Sequence, residues 1–246
     1  MTDNIVQLRR SEGSSTAADR NGLLRRLSPD DLALLTPHLR HAPFANGDVI
    51  ARAGEPIEDV CFLLEGIAGV LDALEEDRRY AVGLVGAEGF IGWPAILGDD
   101  HWPHDVVMRA EHGEALRMPA AALIEAVDAS AGLRKIILRY VNVLTIQMSR
   151  TIVSSLAHPV ERRMARWILM YHDRVRADDI FMTHEEFRLM LGVRRSSVTD
   201  ALHRLEEEQA IRATRGRVEV RDREKLIALA GDTYGRAEEE YARLLS

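Results

Sequence analysis

The residues with the clearest chemistry lie between Met182 and Val220. Arg194, Arg195, Ser196, Ser197 and Thr199 open a stretch in which Val198, Leu202 and Leu205 recur at helical spacing. That pattern turns the apolar set inward and leaves Arg195, Ser196 and Thr199 outward near a helix N-terminus. A guanidinium so placed can grip guanine through two hydrogen bonds, and hydroxyls can serve bases or phosphates. Just upstream, Thr183-His184-Glu185-Glu186 has the spacing of a capping box, in which Thr183 caps a helix and Glu186 bonds back to the cap. Phe187, Leu189, Met190 and Leu191 then fill its inner side, and Gly192 makes the tight turn between the two helices. Downstream, Ile211–Thr214 and Arg217–Val220 flank Arg215-Gly216 as a hairpin, with Arg212, Arg215 and Arg217 at its tip. The division of labour that follows has Arg195, Ser196 and Thr199 facing bases, with Arg194 and Ser197 also in the DNA-binding set, while Thr183, His184, Arg215 and Arg217 hold phosphate. An ordinary helical hairpin would leave the arginine-tipped turn without a reason.

The elements that must carry this unit can be followed along the chain. Gly132 to Leu156 reads as a long helix, on which Ile137, Val141, Leu144, Met148, Thr151 and Ser155 step by 4, 3, 4, 3, 4, the spacing of a coiled-coil dimer seam. Leu133, Ile136, Tyr140 and Val143 form a second stripe that can pack on a neighbouring domain. His158-Pro159 breaks that helix and marks a boundary, and Val160–His172 resumes as a helix. From Ala42 to about Met118 the chain instead shows short apolar runs cut by turn residues: Asp48–Ala51, Val60–Leu64, Ala68–Leu71, Tyr80–Val85, Val106–Ala110 and Glu114–Arg117. Such spacing predicts an antiparallel roll or barrel. Ser28-Pro29-Asp30-Asp31 starts a short helix ahead of it, which Pro37 should end.

The resulting division is a mobile tail over 1–21, a roll over 22–131, a dimerisation helix over 132–157, a DNA-binding domain over 158–230 and a helical tail over 231–246. Net charge is −7, yet Glu161 to Lys225 holds 15 Lys/Arg against 13 Asp/Glu, so the charge is basic only where phosphate would be met. Cys61 is the only cysteine, which excludes an intrachain disulfide or a multi-cysteine metal cluster and fits a reducing cytoplasm. No apolar run reaches 18 residues and Met1 to Asn21 has no apolar core, so neither a membrane nor export is expected.

The order of these signatures resembles the CRP/FNR family of regulators over about Leu23 to Ala230. The resemblance rests on Phe44-x-x-Gly47-Asp48-Val49-Ile50, Gly54-Glu55, Val60-x-Phe62-Leu63-Leu64-x-Gly66, Glu161–Trp167, Thr183–Leu202 and Val220-Arg221-Asp222-Arg223-x-x-Leu226. It implies an α+β fold: an N-terminal cyclic-nucleotide-binding-like β jelly roll, a long dimerisation helix and a C-terminal winged helix-turn-helix. It also implies double-stranded DNA and a second copy of the chain as partners, and RNA polymerase if the protein activates. The effector pocket would be formed by Gly92, Trp93, Pro94, Ala95, His104, Asp105, Met148 and Ser149. In cyclic-AMP-binding members a glutamate holds the ribose and an Arg-Ser pair the phosphate; Trp93 and His104-Asp105 stand in those places, and Met148-Ser149 near the pair that reads adenine. A carboxylate about 4 Å from a phosphate is repelled by roughly 4 kcal/mol at an effective dielectric of about 20, so cyclic AMP is not expected to bind. A filled cavity or another apolar ligand, of unknown identity, remain open.

Two other classes of function compete. A cupin-like metal-dependent protein would need convergent histidines and carboxylates on the strands, whereas His101, His104 and His112 gather with Glu111 and Glu114 around one loop. A sensor module without DNA would need an attached effector domain. Neither catalysis, a metal nor a cofactor is expected.

Overall fold

The computed structural model describes residues 17–75, 78–175 and 177–245. Three 3-10 turns and α1 (Pro29–Leu35) lead into strands β1 (Arg40–Ala45), β2 (Val49–Ala51), β3 (Asp59–Glu65), β4 (Ala68–Glu75) and β5 (Arg78–Val85). β6 (Phe90–Ile91), α2 (Trp93–Ile96), β7 (Asp105–Met108) and β8 (His112–Pro119) follow, and then α3 (Ala120–Ala129) and α4 (Ala131–Ala157). The remainder is α5 (Val160–His172), β9 (Asp179–Phe181), α6 (His184–Leu191), α7 (Arg195–Glu207), β10 (Ile211–Thr214), β11 (Arg217–Val220), α8 (Arg223–Ala230) and α9 (Arg236–Leu245). β1 to β8 form two four-stranded antiparallel sheets ordered β1-β8-β3-β6 and β2-β7-β4-β5; β10-β11-β9 is a separate small sheet.

Local sequence accounts for much of this. The Ser28 hydroxyl accepts from the Asp31 amide at 3.1 Å and Pro29 takes the first helical position, so α1 begins as its residues require. β3 is apolar on both faces because one side lines the roll interior and the other lies under flanking chain. There the Asn21 amide donates to the Leu63 and Gly89 carbonyls at 2.8 Å each. Asn21 is fully buried and Ala17–Arg20 forms a 3-10 turn, which corrects the expected tail; residues 1–16 of that tail lie outside the described residues. The roll core stacks Phe62 on Phe90 and sets Tyr140 of α4 against Phe90, each at 5.5 Å between ring centroids.

The long helix is present, but its outward face is not the expected one. Ile137, Val141, Leu144 and Thr151 are buried against the chain's own domains, Met148 is half-buried, and only Ser155 of that set is exposed. The exposed stripe sits one residue further on: Leu138, Asn142, Thr145, Ser149, Ile152 and Leu156, again at heptad spacing. The more apolar stripe serves the monomer core. α9 lies along α4, where Arg139 donates to the Leu244 carbonyl at 2.7 Å, and Glu240 is buried beside Arg236 and Arg243.

A second apolar core fills the domain after Pro159. Met164, Trp167, Phe187, Val198, Leu205 and Val218 belong to it, and so do Ile67, Leu71, Ala81, Leu84 and Val107 of the β2-β7-β4-β5 sheet. The two halves therefore share one continuous core across that sheet face.

Candidate nucleic-acid interface

α6 and α7 form as their residues dictate. The Thr183 hydroxyl accepts from the Glu186 amide at 3.1 Å, and Gly192 ends α6 with φ of 64°, a left-handed conformation that glycine adopts at low cost. Val198, Ala201, Leu202 and Leu205 bury one face of α7. The opposite edge carries Arg194, Arg195 and Ser196 exposed, with Ser197 and Thr199 half-buried. The Thr199 hydroxyl donates to the Arg195 carbonyl at 3.2 Å, so its oxygen lone pairs remain available to a ligand. β10 and β11 pair in the expected register, ending at Thr214 opposite Arg217, and β9 adds a third strand.

The wing is tied to the start of α6: the Met182 amide donates to the Gly216 carbonyl at 3.0 Å. As a result Thr183, His184, Arg195 and Arg215 converge on one cleft of about 470 Å3, together with Glu185, Arg188 and Gly216. Three guanidinium groups beside a helix N-terminus make a site for a phosphate oxygen. Arg188 was not singled out from sequence; its spacing of three from Glu185, with which it pairs at 2.8 Å, was the available signal.

Two side chains depart from their expected roles. Glu186 does not bond back to complete the capping box. Its carboxylate is buried and takes both hydrogen bonds from Arg109, which follows β7 of the roll. Burial disfavours the charged Arg109, but hydrogen bonding to Glu186 and the charge of Glu186 outweigh it and hold its pKa above the ordinary value. Arg217 lies between two carboxylates, Glu111 of the roll at 2.7 Å and Asp179 at 3.0 Å. The hydrogen bond it donates to Glu111, and then the charges of both acids, raise its pKa. Tyr80 of the roll stands against the interhelical turn, where a Cβ on Gly192 would approach its ring to 3.0 Å.

The expected effector residues are split between different surroundings. Gly92, Trp93, Pro94 and Ala95 are buried, and a Cβ on Gly92 would lie 2.3 Å from a methyl of Val60. His104 is half-buried with an unpartnered Nδ1, and Asp105 accepts from the Ala53 amide at 2.9 Å with Arg79 at 3.5 Å. Ser149 is on the exposed stripe of α4, its hydroxyl donating to Thr145, so it does not face the roll. Gln147 does: it accepts from the Leu84 amide at 2.7 Å and its oxygen would stand 3.2 Å from a Cβ on Gly83. α4 is thereby seated directly on β5. Gln147 was missed, although an amide set between Ile146 and Met148 was a signal.

His101 pairs with Asp100 in an exposed group with Asp99, which His104 and His112 do not join. Cys61 is core; burial pushes its thiol up to about 12. No helix among the described residues is long and apolar enough to cross a membrane.

Comparison with known proteins agrees with this geometry. Residues 162–229 match the model of the Crp-like helix-turn-helix domain and residues 42–130 that of the cyclic nucleotide-binding domain. Among solved structures, FixK2 from Bradyrhizobium japonicum is 14% identical with a TM-score of 0.69, covering 78% of this chain and 98% of that one. A CRP/FNR family transcriptional regulator from Thermus thermophilus is 22% identical with a TM-score of 0.64 over the same shares. The c-di-GMP-responsive global regulator CLP from Xanthomonas campestris is 14% identical with a TM-score of 0.65, covering 78% and 99%. At these identities the likeness concerns the fold. No curated protein matches the chain.

Proposed function

Because this chain belongs to the CRP/FNR family of transcriptional regulators and carries its helix-turn-helix DNA-binding domain, we propose that it acts in the cytoplasm as a homodimer on an inverted-repeat operator. The observation that carries this reading is the exposed edge of α7 beside the wing cleft. Arg195 reads guanine, Ser196 and Thr199 add selectivity, and Arg194 and Ser197 flank them. Thr183, His184, Arg188 and Arg215 hold phosphate, and Arg217 joins them once Glu111 and Asp179 release it.

Leu138, Ile152 and Leu156, exposed by 42%, 59% and 84%, support a dimer seam along the outer face of α4, with Asn142 fixing register. Two chains joined there would set their recognition helices about 34 Å apart, one turn of DNA. The roll does not take cyclic AMP in this reading: Trp93 fills core, Asp105 occupies the phosphate side, and Gln147 seats α4 on Gly83. RNA polymerase is a further partner if the protein activates, and no catalytic role is assigned. The hinge at Ala157-His158-Pro159 is where the domains reorient, with Arg166 bridging the Gln147 and Thr233 carbonyls across it.

Selection of bound fragments from random duplex DNA tests the proposal. Enrichment of an inverted repeat with half-sites one turn apart is expected. Enrichment of nothing, or of an isolated half-site by a monomer, would overturn it.

A further inference from the structure

The exposed edge of α7 carries an acid outside the base-reading set, Asp200. At about 100° per residue, Ser196, Asp200, His203 and Glu207 fall on the line farthest from buried Val198, Ala201, Leu202 and Leu205, and all four are exposed. Arg195 and Thr199 lie toward the wing. Arg195 enters the wing cleft, and Glu206, further along the same side, accepts from the Ala213 amide of β10 at 2.8 Å. Arg204 lies on the other side, paired with Glu161 of α5 at 2.8 Å. A helix laid into the major groove by its N-terminal turns therefore directs Ser196 and, about 6 Å further along, Asp200 at the floor of the groove.

Asp200 brings an open carboxylate to that floor. It makes no hydrogen bond or ion pair among the described residues. The basic residues three and four positions on, where a helical ion pair would form, are engaged elsewhere: His203 faces Glu206 at 3.8 Å and Arg204 holds Glu161. Acids nearer the wing already have cations, Glu185 with Arg188 at 2.8 Å and both Glu111 and Asp179 with Arg217. Phosphates along the groove rims repel a free carboxylate, so its favourable contact is a donor on a base edge. Guanine presents two acceptors there, thymine an acceptor and a methyl, and adenine a donor beside an acceptor. Cytosine alone presents an amino group with no acceptor of its own next to it.

We propose that Asp200 is a specificity-determining residue, accepting a hydrogen bond from the N4 amino group of one cytosine in each half-site. The assignment rests on the regulator reading above and deepens it. Arg195 and Asp200, opposite charges on one edge, demand opposite base edges: acceptors for the guanidinium, a donor for the carboxylate. The carboxylate also disfavours every site that lacks the donor, so Asp200 contributes selectivity without general affinity.

The test selects bound fragments from random duplex DNA with the full chain and with Asp200→Ala in parallel. The parent's operator is then titrated with both proteins, carrying at the position concerned either cytosine or 2-pyrimidinone, the analogue without the 4-amino group. One cytosine per half-site should vanish from the Asp200→Ala profile while the other positions stay. Removing the amino group should weaken the parent about tenfold or more and leave Asp200→Ala within about twofold. Alanine at an exposed helical position should keep the fold, checked by an unchanged melting temperature and undiminished binding to non-operator DNA. Cytosine retained by Asp200→Ala, preference lost at a base other than cytosine, or equal weakening of both proteins by the analogue overturns the assignment. A parent that enriches no operator overturns the regulator reading along with it, whereas an operator shared unchanged by parent and variant overturns this assignment alone.

Discussion

Replacing Arg109 by methionine should loosen the DNA-binding domain from the roll. The Arg109 guanidinium gives two hydrogen bonds to the Glu186 carboxylate, and the side chains are only 18% and 6% exposed. Removing one partner of such a pair typically costs about 3–5 kcal/mol, because the other charge stays buried and unpaired. Part of that is recoverable here. Glu186 stands three residues after the cap Thr183, so a released carboxylate can turn back to the cap amide, a contact worth about 1 kcal/mol. The net loss for Arg109→Met should then be about 2–4 kcal/mol. Glu186→Gln should lose a similar amount, and the double variant little more than either alone. Urea unfolding followed by tryptophan fluorescence would measure this, with Trp93 and Trp102 in the roll and Trp167 in the second core reporting both halves. If the two single losses add to within about 0.5 kcal/mol in the double variant, the pair is not coupled and the reasoning fails.

Four further outcomes follow from the same structure. Arg195→Ala should weaken operator binding by about 1–3 kcal/mol and relax selectivity at one position, measured by competition among single-base operator variants; an unchanged profile would remove Arg195 as the reading residue. Arg215→Ala should weaken all sequences alike and reduce the salt slope of binding by about 1, checked by titrations across a range of salt. Ile152→Glu on the exposed stripe of α4 should give a folded monomer by sedimentation equilibrium, and a persisting dimer would place the interface elsewhere. Gly92→Ala meets both a φ of 137° and a Val60 methyl at 2.3 Å, so a loss of about 2–4 kcal/mol in thermal unfolding is expected.

What sequence conveyed depended on how local each signal was. The Gly192 turn and the Arg215-Gly216 hairpin are specified by residues within a few positions of one another, and both stand as expected. β1 was missed because Pro43 interrupts its pattern, although a proline is tolerable on the edge strand that β1 proves to be. The long helix shows why periodicity is not enough. Two stripes one residue apart share the same spacing, and spacing alone does not say which one the monomer will cover. Glu186 is the same lesson at one atom: the local acceptor role lost to a guanidinium 77 residues away in the chain. Gln147 took the place against β5 for an equally non-local reason, the absence of a side chain at Gly83.

The position of Arg217 bears on how DNA binding would be read by salt titration. Free guanidinium groups on a wing displace condensed cations from the duplex when they land, and each contributes to the salt slope. Arg217 arrives with Glu111 and Asp179 already beside it, acting as tethered counterions that no dilution can remove. For Arg217 to reach a phosphate, both carboxylates must be exchanged for it and rehydrated, so its contribution is a swap between anions. The measured slope should therefore fall short of the number of wing and helix cations in contact, and replacing Glu111 by glutamine should narrow that gap.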